Sequence, residues 1–148
     1  MARSRVVMGA DPGETTGLAA FAGGKIAWSA EVPNAIDGII EFIATDQLPR
    51  FDVLVIESFI VEPDFVGRAF ASEVLGILYA HAKSIGAEVY LQTRSQKALV
   101  KRGTEAERFA WLRSHGYEGS SHVLDAITHC LLRLRREKNL EVVRKHWP

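Results

Sequence analysis

Residues 6–21, VVMGADPGETTGLAAF, are the stretch from which the fold of this chain is best predicted. The apolar run 6–8 predicts a buried strand, which ends at an acid, Asp11. A Pro-Gly turn at 12–13 follows, and residues 17–22 form a second strand-like run. A carboxylate held at the end of a buried strand can present a hard oxygen ligand to a cation. The same letters are also ordinary turn chemistry, so this stretch alone leaves a metal site and a polar hairpin turn equally open.

The composition is that of a soluble single domain. The chain has 148 residues, of which 47% are apolar and 24% charged. We expect no signal peptide and no membrane span, because the start of the chain is too short for one and no apolar run is long enough for the other. The lone Cys130 forms no internal disulfide, and no Cys/His cluster has zinc-finger spacing. The predicted location is the cytoplasm.

The formal net charge is zero, but the charges are unevenly distributed. Residues 1–90 carry 6 Lys/Arg and 12 Asp/Glu, whereas residues 91–148 carry 12 and 6. A basic second half is what a phosphate backbone requires. A solvated helical surface explains the same charges equally well, so both interpretations stay open.

A second strand-end acid follows a helix. Gly23-Gly24 predicts a hairpin to a third strand over 25–31, and the apolar spacing after Asn34 predicts a helix. The apolar run 51–56, FDVLVI, then predicts a strand that ends at Glu57. A strand–helix–strand unit makes this strand parallel to the first, so Asp11 and Glu57 are expected at one sheet edge. Two carboxylates so close need a cation or a shared proton. The alternative is that Glu57 merely faces solvent.

The middle of the chain offers a partner surface and a basic segment. Phe59, in the loop after Glu57, could stack on bases or could fold back onto the core. A helix predicted over 67–85 is rich in small residues, which would let it pack on the sheet and meet a second copy of the chain. The segment 93–102, TRSQKALVKR, is basic. Helical spacing places Arg94, Lys97 and Lys101 on one face, which predicts a phosphate-binding ridge, and Arg102 follows directly after it.

The last predicted helix covers residues 122–136. His122, Asp125 and His129 fall on one of its faces, so the first two could complete a cation site. For His129 a buried structural histidine, hydrogen-bonded to the sheet, is the favoured interpretation. The charged tail 137–148 is expected to be partly disordered, which places the domain at residues 1–136.

Taken together, these acids resemble those of the RuvC-like Holliday junction resolvases of the ribonuclease H superfamily. The matching segments are ADPGETTG, LVIES and SHVLDAITH, and AHAKSIGAEVY and SQKALVKRGTEAE resemble the dimer helix and DNA-contacting segment of that family. The resemblance spans nearly the whole chain, and the length fits compact bacterial and phage members. It implies a ribonuclease H-like α/β fold, with a five-stranded mixed sheet (a three-stranded antiparallel meander plus two parallel strands) flanked by helices.

The resemblance also implies a function. It makes Asp11, Glu57 and Asp125 metal-binding carboxylates and puts His122 where many relatives have aspartate and some histidine. Two Mg²⁺ or Mn²⁺ ions would serve a homodimer that nicks four-way DNA junctions symmetrically, with Lys97 near the scissile phosphate. An imidazole ligand favours Mn²⁺, so we expect strong Mn²⁺ activation. The chain departs from the family in the loop after Glu57, where the base-unstacking aromatic of the family lies slightly further along than Phe59.

Three other functions remain open at this point. Another nuclease of the same fold would act on flaps, RNA–DNA hybrids or structured RNA. A phosphotransferase of the actin and sugar-kinase type also has an Asp–Gly–Thr phosphate loop, but it needs two such domains around its nucleotide. A catalytically inactive DNA-binding module would keep the basic segment without the chemistry.

Overall fold

The structure, a computed structural model, describes residues 3–58 and 69–148. A five-stranded mixed sheet forms its centre, with the strand order β3-β2-β1-β4-β5. Antiparallel pairs join β1 to β2 and β2 to β3, and parallel pairs join β1 to β4 and β4 to β5. The predicted meander and two parallel strands are confirmed. The strands are β1 Val6–Asp11, β2 Thr16–Ala22, β3 Lys25–Val32, β4 Val53–Ser58 and β5 Glu88–Thr93.

Helices cover both faces of this sheet. Two pack on one face and three on the other, together with a short 3₁₀-helix that follows β5. The first face carries α1 Ala35–Ala44 and α2 Phe70–Ser84. The second carries α3 Glu105–Ser114, α4 Ser121–Arg136 and α5 Leu140–His146, and the 3₁₀-helix spans Arg94–Leu99. None of these described helices has the length and apolar character needed to cross a membrane.

Because helices lie on both faces, the central strands are apolar throughout. Val53 and Val55 of β4 face α4, and the alternate residues Leu54 and Ile56 face α1 and α2. All four side chains are almost completely buried. The run FDVLVI is therefore a two-sided strand, which explains why it is continuous rather than alternating.

Helix α4 lies unusually close to the sheet. A methyl group at Gly9 would lie 2.3 Å from the carbonyl oxygen of Ala126, and one at Gly17 would lie 2.0 Å from that of His122. Real side chains do not approach backbone atoms so closely, so β1 and β2 need glycine where α4 crosses them. This close packing brings the first turn of α4 beside the end of β1.

The tail forms a helix, although partial disorder was expected there. Helix α5 starts at the N-cap Asn139, whose side chain accepts a hydrogen bond from Val142 N, and Val142 is fully buried. His146 is buried too, and its Nε2 lies 2.8 Å from the hydroxyl of Tyr117. The charge density of residues 137–148 misled the prediction, because a single turn of buried side chains is enough to dock so short a helix on an existing core.

Candidate active site

Four predicted ligands converge at the carboxyl edge of the sheet. Asp11 is the last residue of β1, Glu57 lies one residue before the end of β4, and His122 and Asp125 stand in the first turns of α4. Ala10 of β1 pairs with Ile56 of β4, so the two strand-end acids are neighbours. All four line one cavity of about 380 Å³. The predicted meeting of the distant acids is confirmed in its geometry.

Cations and a histidine already contact these carboxylates. Lys97 is only 4% exposed, and its Nζ lies 3.3 Å from both Glu57 Oε2 and Asp125 Oδ1. His122 Nδ1 lies 3.3 Å from Asp11 Oδ2. The acids thus form a compact charged cluster with a lysine between two of them.

His129 supports Glu57 from behind. Its ring is fully buried, with Nε2 at 3.1 Å from Glu57 Oε2 and Nδ1 at 2.7 Å from Gln92 Oε1 in β5. The favoured interpretation of a buried histidine bonded to the sheet is confirmed. Because one of its partners is a candidate ligand, His129 also fixes the orientation of that ligand, a role the sequence pattern did not predict.

Sequence reasoning missed Arg108 altogether. This arginine of α3 is buried, and its guanidinium donates a hydrogen bond of 3.2 Å to Asp125 Oδ1. The only signal in the sequence was an arginine beside Phe109 and Leu112 in an otherwise solvated helix. Nothing local to α3 indicates that it faces the first turns of α4, so this contact needed the tertiary structure.

The clustering of acids moves two pKa values in opposite directions. Burial, together with the negative charges of Glu57 and Asp125, raises the pKa of Asp11 to about 8. Burial also acts to raise the pKa of Glu57, but the hydrogen bond and charge of His129 and the charge of Lys97 outweigh it and hold that pKa well below its usual range. In the absence of a cation Asp11 keeps the proton, as the repulsion argument predicted for one of the two acids.

The donor set fits a hard divalent cation only in part. Within the described residues 3–58 and 69–148, no three His, Cys, Asp or Glu side chains form a ready-made chelate. Lys97 stands between Glu57 and Asp125, where it already neutralises them. Mg²⁺ is usually held by one or two carboxylates plus water and substrate phosphates rather than by an all-protein cage. Asp11, Glu57, Asp125 and His122 therefore suit a cation that enters together with a phosphate.

The three basic residues predicted on one helical face, Arg94, Lys97 and Lys101, do not form one ridge. A 3₁₀-helix has three residues per turn and this one ends at Leu99, so Lys97 points into the acid cluster and Arg94 lies at its rim. Lys101 and Arg102 line a different cavity. The α-helical spacing assumed for the ridge was wrong. Phe59, the predicted stacking residue, lies outside the described residues.

Solved structures share this arrangement of sheet and helices. Thermus thermophilus RuvC in complex with a Holliday junction substrate superimposes with a TM-score of 0.66 over 91% of this chain and 97% of that one, at 17% identity. The fowlpox virus resolvase in complex with Holliday junction DNA gives 0.59 over 88% and 99%, at 9% identity. This chain has the fold of the RuvC-like resolvases. The RuvC-like, ribonuclease H-type architecture predicted from the three acidic segments is therefore confirmed. Sequence comparison alone finds no matching family model and no matching curated protein.

Proposed function

We propose that this chain is a metal-dependent endonuclease that resolves four-way DNA junctions. The observation that carries the proposal is the single cavity in which Asp11, Glu57, His122 and Asp125 meet, on a RuvC-like fold. Arg94 and Lys97 line the same cavity, so acids that suit cations and bases that suit phosphates lie within one site. Neither set alone indicates phosphodiester chemistry, but together they do.

The residues take distinct roles in this proposal. Asp11, Glu57, His122 and Asp125 would hold two Mg²⁺ or Mn²⁺ ions. The ions supply a more acidic attacking water and charge stabilisation at the phosphate. Lys97 would present its ammonium group to the scissile phosphate, and Arg94 would contact a phosphate oxygen at the rim. His129 and Arg108 keep Glu57 and Asp125 in place.

A homodimer belongs to the proposal, since two opposed strands must be cut. Helix α2 offers a surface for it. Ser72, Gly76 and Ala80 are exposed at intervals of four residues and form a stripe of small residues on one side of the helix. Beside them an apolar groove runs between α1 and α2, with Ile40 45% exposed. A second copy can approach such a surface closely.

The deciding experiment uses a labelled four-way junction with and without Mg²⁺ or Mn²⁺. We expect paired, symmetric nicks in the presence of metal, with Mn²⁺ at least as effective as Mg²⁺. Asp11→Asn should abolish cleavage and leave junction binding in EDTA within about twofold, because the amide cannot serve as an anionic ligand. Unchanged cleavage by this variant would remove Asp11 from the mechanism.

A substrate panel tests the choice of junction over the other nuclease substrates. Linear duplex, flap DNA and an RNA–DNA hybrid of matched sequence are incubated under the same conditions. Preferred cleavage of a flap, hybrid or structured RNA would replace junction resolution by that activity on the same fold. Activity with Mg²⁺ but none with Mn²⁺ would argue against direct ligation by His122.

A further inference from the structure

A second basic cavity, here called the α5 pocket, lies on the other side of the 3₁₀-helix from the acids. It has a volume of about 440 Å³. Basic and aromatic residues line it, together with the apolar residues 98–100. Lys101 and Arg102 come from the end of the basic segment, Arg135 from the last turn of α4, and Trp147 from the residue after α5. The tail of the chain thus forms one wall of a pocket whose other walls belong to the domain.

Among the residues that the structure describes, no carboxylate neutralises the positive charges of this pocket. No Asp or Glu is among its lining residues. Across residues 3–58 and 69–148, no ion pair joins Lys101, Arg102 or Arg135 to a carboxylate, whereas the neighbouring Arg133 pairs with Glu137. Three cations around one cavity, with no carboxylate partner in the described part of the chain, repel one another and attract an anion.

The pocket is also held in a fixed shape. The guanidinium of Arg135 donates a hydrogen bond of 3.0 Å to the carbonyl of Leu99 and lies 4.2 Å from the ring of Trp147. The indole Nε1 of Trp147 donates a bond of 3.2 Å to the carbonyl of Val100. These contacts tie the end of the chain to the basic segment, which a merely solvated helix end does not require.

The two cavities are lined by successive parts of the same basic segment. Lys97 lies in the acid cluster and Lys101 in the α5 pocket, four residues later. The 3₁₀-helix ends at Leu99, so Lys101 lies two residues beyond it, and Leu99 itself lines the α5 pocket. Phosphates recur along a nucleic-acid backbone, so a strand with one phosphate at the acids presents further phosphates to the adjoining surface.

We propose that the α5 pocket is a second phosphate site, which holds the sugar–phosphate backbone of a strand that also has a phosphate at the acids. This inference rests on the proposed action on DNA. Arg135 and Trp147 are then positioning residues for the strand, and docking of α5 completes the DNA-binding surface.

Binding of a fluorescent four-way junction in EDTA, followed by anisotropy over a series of KCl concentrations, tests the site. Each phosphate contact contributes about 0.9 to the slope of log affinity against log salt. We expect Arg135→Gln to lower the slope by about 0.9 and Lys101→Gln with Arg102→Gln to lower it by about 1.8. Arg135→Lys should keep the slope, because the charge remains. Arg50→Gln is the matched control, since Arg50 is exposed in the connection that precedes β4, away from both cavities.

The outcomes separate the site from the function on which it rests. A wild-type slope for Arg135→Gln overturns the second site, and so does an equal loss for Arg135→Gln and Arg135→Lys, which would mean that Arg135 only supports the fold. Failure of the wild-type protein to cut the junction with Mg²⁺ or Mn²⁺, while Arg135→Gln still loses slope, overturns the proposed function and leaves a phosphate site.

Discussion

Glu57 shows how a ligand is prepared by residues that are not ligands. Lys97 and His129 both contact its Oε2 oxygen, and burial leaves little water to compete with them. Burial alone would raise the pKa of a carboxylate and favour its protonated form, but such contacts keep it ionised. A cation can then bind Glu57 without first displacing a proton, in contrast to Asp11, whose pKa is raised.

Replacing His129 by leucine should therefore weaken cleavage most at low pH. Loss of the hydrogen bond and charge of His129 raises the pKa of Glu57, so the acidic side of the pH–rate profile moves to higher pH. We expect a loss of about tenfold or more at neutral pH, as is common when the partner of a metal-binding side chain is removed. Single-turnover rates between pH 5 and 9 measure both effects.

Thr128→Val is the control for this variant. Thr128 is equally buried on α4, but its hydroxyl donates a hydrogen bond to Leu124 O within the same helix. It should reproduce any general loss of packing without moving the pH profile. An unshifted profile for His129→Leu, or the same shift in both variants, would contradict a role for His129 in orienting Glu57.

At the scale of elements, the site depends on how closely α4 approaches β1 and β2. Gly17→Ala would place a methyl group 2.0 Å from His122 O and 2.6 Å from Val123 N, so the start of α4 must move away from Asp11. We expect a loss of about 3 kcal/mol in unfolding free energy, at the upper end for overpacking, and a larger loss of cleavage than of junction binding. Thermal melts and cleavage assays measure these.

Gly76→Ala provides the comparison. A methyl group at Gly76 in α2 meets nothing within 4 Å, and alanine favours a helix over glycine by about 1 kcal/mol. It should raise the melting temperature or leave it unchanged. Equal melting temperatures of Gly17→Ala and Gly76→Ala would mean that α4 does not need its close packing.

The outer surface of α2 gives a second prediction about elements. Ala80→Arg places a long cation on the exposed stripe beside the apolar groove, where a second copy must approach. Because Ala80 is exposed, the domain should fold normally while the dimer dissociates. Light scattering should then report the 16.4 kDa chain rather than twice that mass, and paired nicking should fall to single nicks.

Ala106→Arg is the matched substitution on the opposite layer. Ala106 is exposed on α3, which packs on the other face of the sheet from α2. It should leave the dimer intact. A wild type that is already monomeric at the concentrations at which it cuts junctions would exclude the homodimer from the mechanism.

For the molecule as a whole, the sequence predicted what local patterns determine. Turn signals and apolar runs, each only a few residues long, are enough to predict the sheet, its meander and the two strand-end acids. The inward turn of Lys97 depends on a 3₁₀-helix rather than an α-helix, the ion pair of Arg108 on the docking of α3 against α4, and the order of α5 on a core built elsewhere in the chain. These features belong to tertiary structure, so local patterns could not reveal them.

The raised pKa of Asp11 should make the unfolding free energy of the metal-free domain depend on pH. The pKa of Asp11 rises from 3.8 to about 8 on folding, so between these values the metal-free folded chain holds a proton that the unfolded chain has released. Its stability must then fall as pH rises through this window. Asp11→Asn cannot titrate, and in EDTA we expect its melting temperature to exceed that of the wild type by an amount that grows from pH 5 to pH 8. Mg²⁺ or Mn²⁺ should reverse this, stabilising the wild type more at pH 8 than at pH 6 and the variant little at either, because the ion replaces the proton on Asp11. Parallel melting curves for the two proteins across pH, with equal responses to metal, would show that Asp11 neither carries the proton nor binds the ion.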